Sequence, residues 1–400
     1  MRELTSTLLG ILLVVAITAH VHGDGQPSTK RFQSSNTNGL SSAVLVENAV
    51  LAHSTQLLPD LSVGAGHDDQ IHSVLRQLEA MMKSLNARRT DVVKLNVYLS
   101  EDLPQATFMQ SLREWMPTES APAVSFVNTV ISNGDADIAL DAVFVASFDD
   151  PISSPKHCYL ESPGGDPRTS RVSVLPKGDV LYVSGQAEQG DLPTSTQETL
   201  AGLLRTLEHL GLTRDHIVSL KCFMQPMSEV DVVNEQIAEF FGGAMIPPVS
   251  HVEWISSEKQ PIEIELVAWA PPVESEDTVS YYWLPWLSKS PVYCRATRIH
   301  GDRRIFVSGL HSEKPGNGEQ QVRSIFSQLE NILSETGSDL RHLAKATYYV
   351  SDADPSAQLN KLRPEYYDPE RPPAASKVMV SGVGHPQRGI TIDMIAAPTH

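Results

Sequence analysis

The chain has 400 residues, 41% of them hydrophobic, and a formal charge of −17 from 31 basic and 48 acidic side chains. Length and apolar content are those of roughly two to four ordinary globular domains. The acidic balance, with no basic run, excludes nucleic acid as an expected partner, because counterion release needs clustered cations.

The N-terminus reads as a targeting segment. Arg2 supplies the positive start, Leu8 to Ala19 is apolar but short for a membrane span, and Val21-His22-Gly23 offers small residues before a cleavage point. Residues 1–23 are therefore expected to be a signal peptide, with export to the periplasm or outside the cell; an uncleaved anchor is the alternative. After cleavage no stable membrane span is expected. Residues 24–42, rich in Ser, Asn, Gly and Gln, read as a disordered leader.

From residue 43 onward the chain repeats one succession of segments three times, about every 125 residues, the length of a whole domain. In the first copy (43–147) a strand at Val50–Ser54 precedes a helix with Val74, Leu75, Leu78, Met81, Met82 and Leu85 at helical spacing. The strand Val92–Leu99 follows, then a second helix at 103–115, the turn Pro122-Ala123-Val124-Ser125 and a closing strand from Ile138. Residues 148–169, with Pro151, Pro155, Gly164 and Pro167, have linker composition.

The second copy (170–270) runs through Leu181–Gly185, a helix stopped by Gly211, and the strand Ile217–Met224. A helix at 228–241, Pro247-Pro248-Val249-Ser250 and Ile262–Val267 complete it. A second linker (271–289) carries Tyr281, Tyr282, Trp283 and Trp286, expected to pin it against a domain. The third copy (290–398) repeats the pattern: Ile305–Gly309, a helix ending at Gly337, Leu343–Val350, a helix at 355–367, Pro373-Ala374-Ala375-Ser376 and Ile390–Ile395. The order of strands, helix, strand, helix, strands predicts an α+β fold with helices on one sheet face. The strands are too apolar for the other face to stay wet, so the three sheets are expected to pack together. Cys158, Cys222 and Cys294 lack CxxC spacing; Cys222 reads as a buried apolar residue, and a Cys158–Cys294 bridge is left open.

Val183-Ser184-Gly185-Gln186, Leu329-Glu330-Asn331-Ile332-Leu333, Thr347-Tyr348-Tyr349-Val350, the Pro-Ala-x-Ser turns and the Ile-Glu-Ile-Glu ending resemble the Rid/YjgF family, also called endoribonuclease L-PSP. The resemblance spans all three copies. It implies chorismate-mutase-like (RidA-like) domains that form trimers with ligand clefts between subunits. In one chain it implies an intramolecular pseudo-trimer, and it leaves further oligomerisation open.

The resemblance also implies an activity, hydrolysis of enamines and imines such as 2-aminoacrylate, with no cofactor. The family's turn arginine, which clamps the substrate carboxylate, is replaced here by Val124, Val249 and Ala375. The family's acidic residue on the last strand falls on Ala139, Glu263 and Thr391, and only Glu263 can serve. Tyr293 matches the family tyrosine. Ser184, Gly185, Ser308, Gly309, Asn234 and Asn360 match the remaining ligand-binding positions. His251 and Lys377 lie two positions beyond the missing arginine. His251 with Glu263 forms an acid/base pair if their strands are adjacent. Histidine spacing points to no metal site. Two readings follow. One is an exported protein that binds small metabolites in its inter-domain clefts and is not a standard imine deaminase. The other is a divergent enamine or imine deaminase, a hydrolase working through the domain 2 cleft.

Overall fold

A computed structural model describes residues 26–33, 39–160, 166–255 and 259–399; the expected signal peptide lies outside them. The chain opens with β1 (Ser28–Phe32), β2 (Ala43–Glu47), β3 (Val50–Ser54), α1 (His67–Ser84), β4 (Val92–Leu99), α2 (Gln105–Trp115), β5 (Ala123–Asn128) and β6 (Ile138–Ala146). Next come β7 (Lys156–Cys158), β8 (Val172–Leu175), β9 (Asp179–Gln186), α3 (Leu192–His209), β10 (Ile217–Met224), α4 (Val230–Phe241), β11 (Val249–Glu253) and β12 (Ile262–Ala270). The last third holds β13 (Val279–Tyr282), β14 (Ala296–Ile299), β15 (Arg304–Val307), α5 (Gly318–Glu335), β16 (Leu343–Val350), α6 (Ala353–Tyr366), β17 (Ala374–Met379) and β18 (Ile390–Ala396).

These strands make three six-stranded sheets in the same order: β5-β4-β6-β3-β8-β7, β11-β10-β12-β9-β14-β13 and β17-β16-β18-β15-β2-β1. In each, one edge pair is parallel and the rest are antiparallel. The fold is α+β, with three Rid-like units. The outer two strands of every sheet come from the opening of another copy. Strands β7 and β8 complete the first sheet, β13 and β14 the second, and the N-terminal hairpin β1–β2 the third. The ring is closed by one backbone bond repeated three times: Thr55 N–H to Arg171 O at 2.8 Å, Ser184 N–H to Arg295 O at 2.9 Å and Ser308 N–H to Ser42 O at 2.9 Å.

Two expectations are corrected here. The segment expected as a disordered leader contributes β1, and both segments expected as linkers contain strands, β7 and β13. Their polar, proline-bearing composition hid this because these strands borrow their order from an edge already present. Arg31 adds a tie that composition does not reveal: its guanidinium donates to Ala121 O, Thr90 O and Val92 O at 2.7–3.0 Å, fastening β1 to the first copy. The aromatic linker does pack as expected. Tyr281 donates to Arg341 O at 2.6 Å, and Arg205 lies over Trp286. Cys158, Cys222 and Cys294 are all free thiols, Cys222 and Cys294 buried.

Each helix pair covers the outer face of its own sheet. In the first copy Ile71, Val74, Leu75, Leu78 and Met82 of α1 pack with Phe108 and Leu112 of α2 over Leu95 and Val97. Helices α3 and α5 end as expected, with Gly211 at φ +76° and Gly337 at φ +75° in the left-handed conformation. Among the described residues, no helix is long and apolar enough to cross a membrane.

The inner sheet faces meet around a pseudo-threefold axis. A register shift falls at the same place in all three copies, between Val92 and Lys94, Ile217 and Ser219, and Leu343 and Lys345. Such a bulge turns two consecutive side chains to one face. Val93, Val218 and Ala344 therefore join a central apolar cluster with Val44, Leu51, Tyr182 and Phe306. Farther along the same strands Tyr98, Phe223 and Tyr349 form a second shared cluster with Val127, Val252 and Val378. Between the two clusters lies a polar belt.

Val44, fully buried in that central cluster, belongs to the hairpin that closes the ring. Val44→Asp leaves a buried unpaired charge and is expected to cost about 3–5 kcal/mol in urea unfolding. Thr29→Ala on exposed β1 should change stability by less than about 0.5 kcal/mol.

Candidate functional site

The three junctions between copies share one plan. The corner after β3, β9 or β15 meets an edge strand of another copy. At the first, Thr55 Oγ1 donates to Val249 O at 3.1 Å, and the Gln56 side chain pairs with the His251 backbone at 2.9 and 3.2 Å. At the second, Ser184 Oγ accepts from Ala375 N–H at 2.9 Å and donates to Cys294 O, while Gly185 N–H donates to Ser376 Oγ at 3.1 Å. At the third, Ser308 Oγ accepts from Val124 N–H at 2.8 Å and donates to Ser41 O, and Gly309 N–H donates to Val124 O at 3.0 Å. Ser184 and Ser308, expected to touch ligand, thus spend their hydroxyls holding the junctions together. Val124 and Val249 are buried, and neither they nor Ala375 carries a polar side chain into its junction.

The junction between copies 2 and 3 differs from the others in its charged groups. Glu263 on β12 lies against Gly185, so closely that a Cβ there would sit 1.9 Å from Oε1. A side chain at 185 would displace the Glu263 carboxyl. Burial, reinforced by the neighbouring Glu265 carboxylate, pushes the Glu263 carboxyl up to about 7; Ser376, Lys345 and Arg295 pull it the other way. Ser376 donates to Glu265 Oε2 at 2.5 Å, and Lys345 pairs with the same oxygen. A carboxyl balanced near neutrality can exchange a proton at working pH.

Tyr293 and Arg295 enter this junction from the opening of copy 3. The Arg295 guanidinium lies 5.1 Å from the Tyr293 ring centroid, and its buried Nε has no hydrogen-bond partner. Arg295 escapes a reading based on the turn position because it arrives from the opening of copy 3, just before β14, about 80 residues ahead of the turn at Ala375. Its adjacency to Tyr293 was the available signal. The corresponding Arg171 at the first junction is engaged with Gln77 Oε1 at 2.9 Å. At the third junction the equivalents are Ser42 and Thr391, and Thr391 Oγ1 donates to Leu310 O at 3.1 Å.

His251 and Glu263 do not form the expected pair. Their strands flank β10 rather than each other, with His251 opposite Cys222 and Glu263 opposite Phe223. Consecutive β10 positions face opposite sides of the sheet, so the two groups do as well. His251 belongs to the junction of copies 1 and 2, where burial pulls its imidazole down to about 4 and leaves Nε2 without a partner. Lys377 and Asn360 do come together: Lys377 Nζ donates to Ser356 Oγ at 3.1 Å and Asn360 Oδ1 at 3.3 Å, beside α6. Asn234 lies partly buried on α4.

The family model described as endoribonuclease L-PSP matches residues 166–270 and 289–398, the second and third copies and more than half of the chain. A RutC family protein from Pyrococcus abyssi is 29% identical over 75 residues, 17% of this chain and 59% of that protein. A RutC family protein from Aquifex aeolicus is 29% identical over 89 residues, 20% of this chain and 70% of that protein. Among solved structures, a YjgF family member from Neisseria meningitidis is 24% identical, covers 30% of this chain and 96% of its own, and has a TM-score of 0.24. The YjgF gene product of E. coli is 24% identical, covers 24% of this chain and 86% of its own, with a TM-score of 0.22. With the motifs met three times and one sheet order built three times, the chain belongs to the endoribonuclease L-PSP family, also called Rid/YjgF.

Proposed function

We propose that the junction of copies 2 and 3 binds a small imine- or enamine-bearing metabolite and hydrolyses it, and that the other two junctions serve assembly. The single observation that carries this reading is Glu263, a carboxyl balanced near neutrality and acted on by Arg295, whose guanidinium lies over the Tyr293 ring. In the reaction, the Glu263 carboxylate takes a proton from water as the water oxygen bonds to the imine carbon. Glu263 delivers that proton to nitrogen, then carries the proton of the new hydroxyl to the same nitrogen, and as the carbon–nitrogen bond breaks the ketone forms and ammonia leaves. Arg295 supplies the positive charge that the turn positions lack, facing an anionic group of the substrate. The apolar Val124, Val249 and Ala375 favour a second reading, binding without turnover.

An assay for ammonia released from 2-aminoacrylate generated in place separates the two. Turnover by the unmodified chain should rise with pH through about 7, because the carboxylate is the working form. Glu263→Gln should lower kcat by about 100-fold or more. Arg295→Met should lower kcat/KM by about 10- to 100-fold, the loss of one charge-assisted bond. His251→Ala should stay within about twofold, since that residue belongs to another junction. Ligand binding with no turnover at any pH establishes the second reading instead.

Glu263 also makes a stability prediction. A carboxyl whose folded value is raised from 4.5 to about 7 contributes stability that is fully present below pH 4.5 and is lost as pH rises through 7. Glu263→Gln should therefore raise Tm relative to the parent at pH 8 and change it little at pH 4.5. Thermal unfolding across that range checks the sign.

Export is part of the same proposal, resting on Arg2, the apolar run and Gly23. N-terminal sequencing of the native protein is expected to begin after residue 23; an intact Met1 refutes it.

A further inference from the structure

At the far edge of the second sheet, β9, β14 and β13 carry side chains that neither the junctions nor the polar belt uses. Alternation along these strands sends Val180, Tyr182, Val279 and Ile299 to the central apolar cluster. Asp179, Arg298, His300 and Ser280 therefore share the opposite, outer face. There Ser280 Oγ lies 2.8 Å from His300 Nε2, and His300 Nδ1 lies 2.9 Å from Asp179 Oδ2.

Asp179 is buried and fixed by three donors: His300 Nδ1, Arg298 Nε at 2.7 Å and Gly301 N–H at 2.9 Å. A carboxylate only accepts, so Nδ1 carries the ring proton and Nε2 of the neutral imidazole is left to accept from the Ser280 hydroxyl. That is the tautomer in which an imidazole can take a serine proton. Ser280 is half-buried on a strand that ends the sheet, while the His300 side chain is only 9% exposed. The carbonyls of Thr278 and Tyr282 accept from His300 and Arg295 N–H at 2.9 Å each, so these alternate positions of β13 face β14. The Tyr281 N–H, next to Ser280, consequently points to the open edge of the sheet. At the equivalent place in the third sheet an ordinary ion pair joins Arg303 to Glu47, and Lys30 stands where Ser280 does. The fold itself does not demand the array.

We propose that Ser280 and His300, positioned by Asp179, form a second catalytic site, separate from the Glu263 junction, that hydrolyses small neutral carboxylic esters. Ser280 Oγ bonds to the ester carbonyl carbon as His300 Nε2 takes the hydroxyl proton. The carbonyl oxygen gains the charge and faces the Tyr281 N–H. As the carbonyl re-forms, the bond from carbon to the alcohol oxygen breaks, and His300 gives its proton to that oxygen. Water then attacks the acyl-serine with His300 again as base; the acid leaves and the proton returns to Ser280. Asp179 touches no substrate and pairs with the imidazolium as it forms. The exposed Glu274 and Glu276 just ahead of β13 disfavour an anionic ester.

The test treats the full chain with p-nitrophenyl acetate and, separately, with a fluorophosphonate, which loses fluoride to an activated serine. Mass spectrometry of the digested protein should place the phosphonyl adduct on Ser280. p-Nitrophenol should appear in a burst of about one per chain, followed by slower turnover. Ser280→Ala should abolish the adduct and lower kcat/KM by about 100-fold or more, and His300→Gln should do the same. Asp179→Asn should lower kcat by about 100-fold with KM within about twofold, a split that a merely structural loss would not give. If His300→Gln or Asp179→Asn fails to fold, the adduct on the unmodified chain and the half-buried Ser280→Ala decide. No adduct on Ser280, or ester hydrolysis that survives Ser280→Ala, overturns the proposal.

Discussion

Each copy carries a sheet with two apolar faces and helices enough for one. That surplus face is the constraint from which the assembly follows. Burying it requires two more sheets, and a chain with three copies in tandem supplies them without a second molecule. The axial clusters around Val93, Val218 and Ala344 and around Tyr98, Phe223 and Tyr349 are what the three faces make together. Exchange of the opening strands between sheets then makes the closure mutual, since each sheet lacks two strands until another copy provides them.

The polar belt is the cost of running strands straight through that axis. Lysines and carboxylates on inner faces can be buried only if they find one another, because an isolated charge there is far more costly than a paired one. Lys94 with Asp393 and Lys345 with Glu265 meet that condition across copies. Lys221 makes no such close pair and is held charged by the Asp141 and Glu265 carboxylates from farther away, a difference open to three linked copies that need not remain identical. A homotrimer would repeat every pairing three times. This chain carries Asn96, Lys221 and Thr347 at one equivalent position and is free to specialise each.

The same freedom shapes the junctions. Ser184 and Ser308 bind the facing edge strand through equivalent contacts, whereas Glu263, Ala139 and Thr391 occupy one position with three chemistries. Burial and the Glu265 carboxylate on the same strand raise the Glu263 carboxyl to about 7, while Gly185 packs against it and Ser376 from β17 draws it back. The carboxyl near neutrality thus lies at the junction of copies 2 and 3, while Ala139 and Thr391 hold the equivalent positions.

The sequence by itself determined the number of copies, the order of strands and helices, and the outer faces of the helices, because these depend on short-range periodicity. The Gly211 and Gly337 stops and the apolar spacing of α1, α3 and α5 are local features of this kind. It also singled out Glu263 and Tyr293, through the resemblance to the Rid/YjgF family. Only the tertiary structure decided which residues face them. His251 sits close to Glu263 in sequence yet on the opposite face of the sheet across β10, while Arg295 comes from the next copy. Strand β1 has little apolar character of its own and is ordered by the edge of β2 and by the carbonyls that Arg31 reaches. Periodicity reports the environment of one element, whereas junction partners, strand exchange and buried charge pairs are set by residues 80 to 299 positions away.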